Sequence, residues 1–291
     1  MKVISLVLVA CLGSAIALPR SRYEPIVTDY HGSVGIPRAT LIRQAELAED
    51  FDGGRIVGGQ PAALGAHPHI AGILVALSSG QTSMCGSSIL SNTRLVTAAH
   101  CWRTRDFQGV SITVVLGSTR LFSGGTRITT RDIELHSGYN QAYLNNDIAI
   151  IRINRVAFNN NIQSIALPSG LLEHMTFVGN RATAVGYGRL QDGGANNNDA
   201  LHQVSLIVIE NFVCTDIYGP NVIIDSTLCT SGTGRVGTCT GDSGGPLDFA
   251  FQGVRNLIGV TSFVAGRGCQ AGLPAGFARV SSFTSWLRAR L

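Results

Sequence analysis

A serine set among glycines is the first feature of this sequence that could do chemistry. Ser243 lies in the run TGDSGGP at residues 240–246. A serine hydroxyl is a weak nucleophile near neutral pH, so it needs a base within hydrogen-bonding reach. Glycines permit sharp turns that bring N–H groups close to a bound carbonyl, and those of Gly241 and Ser243 could hold an oxyanion. The same letters also occur in ordinary glycine-rich turns, so the motif needs partners elsewhere.

Two polar residues at the ends of apolar runs could be those partners. His100 follows the apolar run at residues 95–99 and precedes Cys101, and Asp147 opens the run DIAII. A carboxylate entering an apolar strand is costly unless it is paired or hydrogen-bonded. Each residue alone has an ordinary explanation, as a loop histidine or a strand-edge acid. Together with Ser243 they supply the base and the orienting acid that nucleophilic catalysis requires.

The start of the chain has the pattern of a secretory signal. Lys2 precedes an apolar run at residues 3–12, and Ala15-Ile16-Ala17 is a small-residue cleavage pattern. The run is too short to span a bilayer, which disfavours a retained anchor. We therefore predict a signal peptide at residues 1–17 and a secreted, extracellular product.

The cysteine count supports this prediction. Of seven cysteines, Cys11 leaves with the signal and six remain. An even number in an oxidising compartment indicates disulfides, although sequence alone leaves their pairing open. Zinc is the alternative, but no C-x-x-C pair occurs, so we predict no metal and no cofactor.

Composition bounds the remaining possibilities. The chain has 291 residues, of which 45% are hydrophobic and 14% charged, enough for one large or two ordinary globular domains. The net charge of +4 is spread along the chain without a long basic run. We therefore expect neither nucleic acid nor membrane as a partner.

Residues 18–55 differ from the rest. They are polar and lack cysteine, and residues 39–48 could form a short helix. At their end Arg55 lies between glycines, in GGRIVGG, where an exposed basic residue suits proteolytic cleavage. An ordinary glycine-rich linker is the alternative.

Beyond Ile56 the sequence consists of short β-branched runs separated by Gly, Asn and Ser, which is typical of an all-β sandwich or pair of barrels. The predicted strands are at residues 70–77, 88–97, 109–116, 126–135, 147–153, 181–186, 201–209, 257–263 and 276–280. Residues 167–170, Leu-Pro-Ser-Gly, form the predicted seam between two halves. A final helix is predicted at about residues 281–290, with Ser281 as its cap.

Four motifs occur in one order: RIVGG at residues 55–59, TAAHC at 97–101, DIA at 147–149 and GDSGGP at 241–246. Together they resemble the chymotrypsin/trypsin family of serine endopeptidases over residues 56–291. The loop at residues 262–269 looks most like insect digestive chymotrypsin-like and crustacean collagenase-type members. The resemblance implies an all-β fold of two antiparallel six-stranded β-barrels, at about residues 56–167 and 168–280, with the active site between them and a C-terminal α-helix.

The resemblance also assigns roles. Ser243 would be the nucleophile, His100 the base and Asp147 its orienter, while Gly241 and Ser243 would form the oxyanion hole. Ser262 matches the family's serine that binds the catalytic aspartate. The implied disulfides are Cys85–Cys101, Cys214–Cys229 and Cys239–Cys269.

The family comparison further implies a zymogen. Residues 18–55 would be an activation propeptide, removed by cleavage between Arg55 and Ile56. The new Ile56 amine would then pair with Asp242 and set the oxyanion hole. Because the propeptide lacks cysteine, we expect its release after cleavage.

Specificity follows from the family's pocket positions. The floor aligns with Gly237 and a wall position with Ala275, so no acid is present to bind Arg or Lys. Ser262, Phe263 and Val264 form another wall, where Val264 could narrow the entrance. We predict cleavage after large apolar or aromatic residues, with an elastase-like preference for small residues as the alternative. A separate trypsin-like protease would then be needed to cut after Arg55.

The remaining expectations concern the protein's substrates, partners, oligomeric state and physiological role. We expect polypeptide substrates, protein inhibitors as partners and a monomeric state. Some relatives bind calcium at a segment that aligns with residues 117–127, but no acid occurs there. A digestive role in the gut lumen is the default by analogy. A homologue without activity, acting as a binding protein, is the alternative from another class.

Overall fold

The computed structural model describes residues 22–48, 60–189, 191–192 and 200–291. These ranges are mostly β. The strands are β1 (Gln60–Pro61), β2 (Ile70–Leu77), β3 (Thr82–Ser91), β4 (Arg94–Thr97), β5 (Gly109–Leu116), β6 (Thr126–Thr130), β7 (Ile133–Leu135), β8 (Ala149–Arg152), β9 (Arg181–Gly186), β10 (His202–Ile209), β11 (Thr227–Thr230), β12 (Pro246–Phe251), β13 (Val254–Phe263) and β14 (Ala275–Arg279). The α-helices are α1 (Ile36–Leu47), α2 (Leu171–His174), α3 (Asn211–Tyr218) and α4 (Thr284–Arg288).

Two antiparallel sheets organise the chain. The first runs in the order β6-β5-β2-β3-β4-β8-β7 and remains open, so it forms a half-barrel. The second runs β10-β11-β14-β13-β12-β9, and β9 also pairs with β10, which closes a six-stranded barrel. The predicted all-β fold is confirmed, with one difference: only the second of these two sheets is a closed barrel.

The strand β1 crosses the predicted division of the chain. It pairs with β10, Gln60 opposite Gln203, and so joins the edge of the second sheet although it precedes the first. At the other end, Val280, Phe283 and Leu287 are buried in one cluster with residues of the first sheet. Both ends of residues 60–291 thus hold the two sheets together. The division near residues 167–170 stays a prediction.

Most predicted strands coincide with observed ones, and the differences have local causes. Residues 88–97 are two strands, because Asn92 and Thr93 form a turn between β3 and β4. The elements β11, β12 and α3 were not predicted. The C-terminal helix is shorter than predicted, since residues 280–283 form a 3₁₀ turn before α4. Ser281 lies inside that turn and does not cap the helix; its carbonyl accepts a hydrogen bond from Thr284 Oγ1 at 3.2 Å.

The segment before residue 48 is folded against the sheets. A π-helical turn at His31–Gly35 leads directly into α1, which starts earlier than the predicted helix because Pro37 suits a first helical turn. Ala39 and Ile42 are buried, whereas Arg43 and Gln44 are exposed. The predicted signal peptide and Arg55 with Ile56 lie outside the described residues. No helix in the described ranges is long and apolar enough to span a membrane.

The interior of the second barrel provides a stability test. Phe277 is 1% exposed and packs in a cluster with Leu247 and Ile258. We expect Phe277→Ala to lower the free energy of unfolding by about 3–5 kcal/mol, because it leaves a cavity in a close-packed core. Phe212→Ala on α3 is the matched control, since Phe212 is 66% exposed. Urea denaturation of both variants checks this, and equal losses would contradict the assigned core.

Candidate active site

His100 and Asp147 meet because their strands are neighbours. His100 lies in a 3₁₀ turn just after β4, Asp147 lies just before β8, and β4 pairs with β8. His100 Nδ1 is 2.6 Å from Asp147 Oδ2, and the His100 backbone N–H donates to Asp147 Oδ1 at 2.9 Å. Both side chains are 1% exposed. The carboxylate therefore holds the Nδ1 edge of the imidazole and fixes the orientation of the ring.

The second barrel completes the carboxylate's hydrogen bonds. Ser262, near the end of β13, donates its hydroxyl to Asp147 Oδ2 at 2.6 Å. Asp147 thus accepts from the His100 backbone, the His100 ring and the Ser262 hydroxyl. These donors compensate the cost of burying the carboxylate away from water. The contact also joins the two sheets at the site.

Ser243 lies on a turn that is fixed to both sheets. Its carbonyl accepts the Gly86 N–H of β3 at 2.7 Å, and the next residue, Gly244, donates to Thr261 O of β13 at 2.8 Å. Gly244 has φ +79°, and a Cβ there would lie 2.3 Å from Thr97 Oγ1. Only glycine fits this approach of the turn to β4. Ser243 itself is 8% exposed.

The half-buried Asp242 places its carboxylate against several glycines. Its carboxylate accepts the Gly188 N–H and the Cys239 N–H, each at 2.8 Å. A Cβ at Gly186 would lie 2.1 Å from Asp242 Oδ1, so the pocket requires the glycine. Burial raises the pKa of Asp242 above its ordinary value, while the two N–H donors and the Arg38 guanidinium oppose that shift. A cation at this carboxylate would favour its charged form.

Three disulfides lie in the described ranges, and they are the pairs implied by the family resemblance: Cys85–Cys101, Cys214–Cys229 and Cys239–Cys269. The first ties the His100 turn to β3. The third connects the segment before Ser243 to the loop after β13. Both therefore restrain segments that carry site residues.

The predicted pocket residues fall into separate groups. Ser262, Phe263 and Val264 line one cavity together with Ser243. Gly237 lines another cavity, which it shares with Asp242 and Cys269. Ala275 is 4% exposed and belongs to the core cluster of the second barrel, against which Val264 packs. The structure thus places Ser262, Phe263 and Val264 in one cavity with Ser243, whereas Gly237 lines a different cavity and Ala275 lies in the core.

One cluster of possible metal ligands has free donor atoms. His67, His69 and Asp248 place ligand atoms within 4.8 Å of one another. The carboxylate is already paired, since His69 Nε2 lies 3.3 Å from one Asp248 oxygen and Arg255 binds the other. The positive Arg255 disfavours a second cation there. Ion pairing satisfies this cluster only in part, since His67 Nδ1, His69 Nε2 and Asp248 Oδ2 are buried without a hydrogen-bond partner among the described residues.

A segment that sequence reasoning left as a propeptide covers the catalytic residues. The Tyr30 ring centroid lies 4.7 Å from that of His100, and the Tyr30 hydroxyl donates to Met84 O at 2.8 Å. Ser243 and Tyr30 line the same cavity, and burial together with the charge of Asp242 raises the pKa of the phenol. Val27 and Val34 close the cavity that contains Ser243. Val27 lies in irregular chain before the helical turn, so no helical periodicity in the sequence marks these three residues as one buried face.

Arg38 is the other site residue that the sequence did not reveal. It is 1% exposed, and its Nε and Nη2 donate to Tyr187 O at 3.1 and 2.9 Å. Nη2 also lies 3.2 Å from Gly188 O. Its Cγ would lie 3.2 Å from a Cβ at Gly241, and its charge acts on Asp242. The helix α1 thus delivers a cation to the carboxylate beside the predicted oxyanion hole.

His31 makes the docking of this segment sensitive to acid. It is fully buried, its Nδ1 lies 2.8 Å from Ser83 Oγ, and burial together with the charge of His100 lowers its pKa to about 3. An undocked histidine titrates near 6.5. The docked state therefore gains stability above that value and loses it as the pH falls, by about 2 kcal/mol at pH 5.

Hydrogen exchange can check this effect. For the amides of α1, we define the ratio of the exchange rate in the wild type to the exchange rate in His31→Gln. We expect this ratio to be larger at pH 5 than at pH 7.5. Taking the ratio at each pH cancels the intrinsic dependence of exchange on acid. A ratio that does not change between the two pH values would contradict the assigned role of His31.

The fold and this geometry define a class: a two-sheet β protein with a buried His–Asp pair beside a serine on a glycine turn. The Trypsin family matches residues 56–287. The chain belongs to the trypsin family and is a serine endopeptidase acting on polypeptides.

Individual relatives agree with this assignment. Collagenase of Hypoderma lineatum is 37% identical over 236 residues, covering 81% of this chain and 86% of the relative. Brachyurin of Leptuca pugilator is 35% identical over 237 residues, covering 80% and 97%. The solved structure of HL collagenase superposes with a TM-score of 0.73 at 35% identity, covering 81% of this chain and 98% of that one. The predicted likeness to insect and crustacean collagenase-type members is confirmed.

Proposed function

We propose that Ser243, His100 and Asp147 form the catalytic triad of a secreted endopeptidase made as a zymogen. The observation that carries this proposal is the buried hydrogen bond of 2.6 Å between His100 Nδ1 and Asp147 Oδ2, together with Ser262, which donates to Asp147 and lines one cavity with Ser243. His100 Nε2 takes the Ser243 proton as Oγ attacks the scissile carbonyl. The N–H groups of Gly241 and Ser243 hold the oxyanion. His100 then protonates the leaving amine, and water hydrolyses the acyl-enzyme with His100 again as base.

The labelling of Ser243 tests the function and excludes the binding-protein alternative. After cleavage at Arg55 and removal of the upstream fragment, an organophosphate should phosphorylate the chain once, with Ser243 Oγ forming a bond to phosphorus and the reagent's leaving group departing. Ser243→Ala should not react. A cleaved, fragment-free chain that is neither labelled nor active on any peptide would be the non-catalytic homologue.

Zymogen activation is the second part of the proposal. Cleavage between Arg55 and Ile56 frees an amine that pairs with Asp242, the buried carboxylate at the Gly241 turn. The glycine pocket around Asp242 and its position next to Ser243 support this pairing. Because Gly237 and Ala275 carry no charge, the enzyme does not bind arginine in its own pocket, and a trypsin-like protease performs the cleavage.

The proposed specificity is for large apolar or aromatic residues before the scissile bond. A Cβ added at Gly237 meets no atom within 4 Å, so the residue predicted as the floor does not itself obstruct a long side chain. Val264 lines the wall near Ser243 and is the residue that favours the elastase-like alternative. The absence of cysteine between residues 18 and 55 fits a simple digestive enzyme better than one with a disulfide-bonded regulatory domain.

A peptide library varied at the residue before the cut tests this specificity. We expect Phe, Tyr and Leu to give the highest kcat/KM. Val264→Gly should raise the ratio for Tyr over Ala by about 10- to 100-fold, because it widens an apolar wall. Ser281→Gly, far along the chain in the C-terminal turn, is the control. A wild-type preference for Ala or Val would establish the elastase-like alternative, and a preference for Arg would contradict both.

A further inference from the structure

We infer that residues 22–48, here called the cleft plug, remain bound across the active site after the Arg55–Ile56 bond is cut. Activation then needs two steps, cleavage and release of the plug. This inference rests on the proposed function and differs from the expectation that a segment without cysteine simply leaves.

The plug is anchored on the second barrel at its first end. The Arg267 guanidinium binds the Glu24 carboxylate, with Nη2 at 2.6 Å from Oε2. Main-chain bonds accompany this pair: Glu24 N–H donates to Ile217 O and Gly266 N–H donates to Pro25 O, each at 2.8 Å. Ile26 forms an antiparallel bridge with Ala265, so the plug lies as an extended chain along the loop that follows β13.

The other end is anchored on the half-barrel. Glu46 Oε1 accepts the N–H groups of Leu121 and Phe122 at 2.8 and 2.9 Å, and Oε2 accepts the Ser123 hydroxyl at 2.6 Å. A carboxylate that accepts from several donors of one loop is held in a fixed orientation. With Glu24 bound to one sheet and Glu46 to the other, the plug spans the cleft from side to side.

The centre of the plug is as buried as a protein core. Tyr30 is 5% exposed, Val34 7%, Ala39 2% and Ile42 1%. Tyr30 and Val34 belong to a cluster that includes residues of the half-barrel, whereas Ala39 and Ile42 pack with Met84 and Tyr187. Burial of apolar surface is the main stabilising contribution to such an interface. A substrate cannot reach Ser243 while Tyr30 covers it.

None of these contacts uses the Arg55–Ile56 bond. Within the described residues of the plug, Glu46 is the last one that forms such an anchor, and the cleavage point lies several residues further along the chain. Cutting the bond therefore removes the covalent tether and leaves the interface unchanged. The loss of the tether lowers the effective concentration of the plug at the cleft. Release of the plug is then limited by the dissociation rate of its noncovalent interface.

Arg38 links release to activation. Its Nη2 donates to Gly188 O at 3.2 Å, and the Gly188 N–H donates to Asp242 Oδ1 at 2.8 Å, so α1 holds a cation near the carboxylate that the Ile56 amine needs. Two cations compete for one buried carboxylate, so insertion of Ile56 and docking of α1 oppose each other. Weakening Arg38 should therefore favour the active state after cleavage.

The full-length chain tests the inference directly. We expect the Arg55–Ile56 cut, verified by the masses of both products, to leave the fragment co-eluting with the enzyme in gel filtration. Organophosphate labelling of Ser243 should then be slow and follow fragment dissociation. In Arg38→Ala, labelling after the cut should be at least about tenfold faster, while Arg43→Ala, an exposed arginine of the same helix, should behave as wild type.

A synthetic peptide of residues 22–48 provides a test that does not depend on variant folding. Added to cleaved enzyme that has lost its fragment, it should inhibit hydrolysis of a small ester, and its Tyr30→Ala version should inhibit at least about tenfold more weakly. Immediate full labelling on cutting, together with no inhibition by the peptide, would overturn the inference. Fragment-free enzyme that neither labels nor hydrolyses the ester would instead contradict the proposed function.

Discussion

Replacing Asp147 by asparagine should lower kcat of the activated protein by about 10⁴-fold, the loss associated with the aspartate of this family's triad. The amide keeps the size of the carboxylate but presents an N–H₂ group or a neutral oxygen to His100 Nδ1. When the N–H₂ group faces Nδ1, the imidazole adopts the wrong tautomer, with the proton on Nε2, where Ser243 needs an acceptor. The imidazolium that forms during attack also loses its counter-charge.

The structure separates this chemical loss from unfolding. Asp147 also accepts from the His100 backbone and from Ser262, and an asparagine oxygen can retain one of these bonds. We therefore expect KM and the far-UV spectrum to change little while kcat falls. Asp106→Asn is the control, because Asp106 is 49% exposed and pairs only with the exposed Arg105 among the salt bridges of the described residues. A loss below about tenfold for Asp147→Asn would contradict the assigned triad.

The sequence was most informative where chemistry and secondary structure coincide. His100 and Asp147 stand at the ends of apolar runs, and those runs became the paired strands β4 and β8. The β-branched composition of the runs predicts strands because such side chains suit a pleated, half-buried surface. The strand β12 was missed because Pro246 and a buried Asp248 disguise it. That carboxylate is tolerated since His69 and Arg255 pair with it, and tertiary contacts of this kind are not visible in a local pattern.

The plug shows the limit of the same reasoning. Residues 39–48 predict a helix, and α1 is found there, but the sequence of a helix does not show which surface the helix packs against. Arg38 looks like a surface arginine in the sequence, yet it is almost fully buried. Its burial is compensated by hydrogen bonds to the main-chain carbonyls of Tyr187 and Gly188 and by its charge interaction with Asp242. Which surface an apolar stripe covers depends on the shape and charge of the partner, here the cleft around Ser243.

Asp242 is the residue on which both states of the cleft depend. With the plug in place it interacts with Arg38 and accepts N–H bonds from Gly188 and Cys239. After release, the Ile56 amine is its proposed partner. The cationic partner of this carboxylate would then differ between the covered and the active state. Replacing Asp242 therefore tests the active state separately from the covered one.

Asp242→Asn should therefore reduce kcat/KM of the cleaved, plug-free enzyme by about two to four powers of ten. Removing one partner of a buried ion pair costs about 3–5 kcal/mol, which shifts the equilibrium away from the assembled oxyanion hole by that factor.

The wild-type pairing also has a pH limit. The carboxylate raises the pKa of the amine above its free value near 8, so the pairing contributes fully below that value and is lost as the pH rises through the raised pKa. The kcat/KM profile should fall on its alkaline side in the wild type, and in Asp242→Asn this fall should begin at lower pH. Asp248→Asn, a buried aspartate remote from this pocket, should keep the wild-type alkaline profile. An Asp242→Asn enzyme with wild-type activity and the same alkaline fall would mean that another group assembles the oxyanion hole.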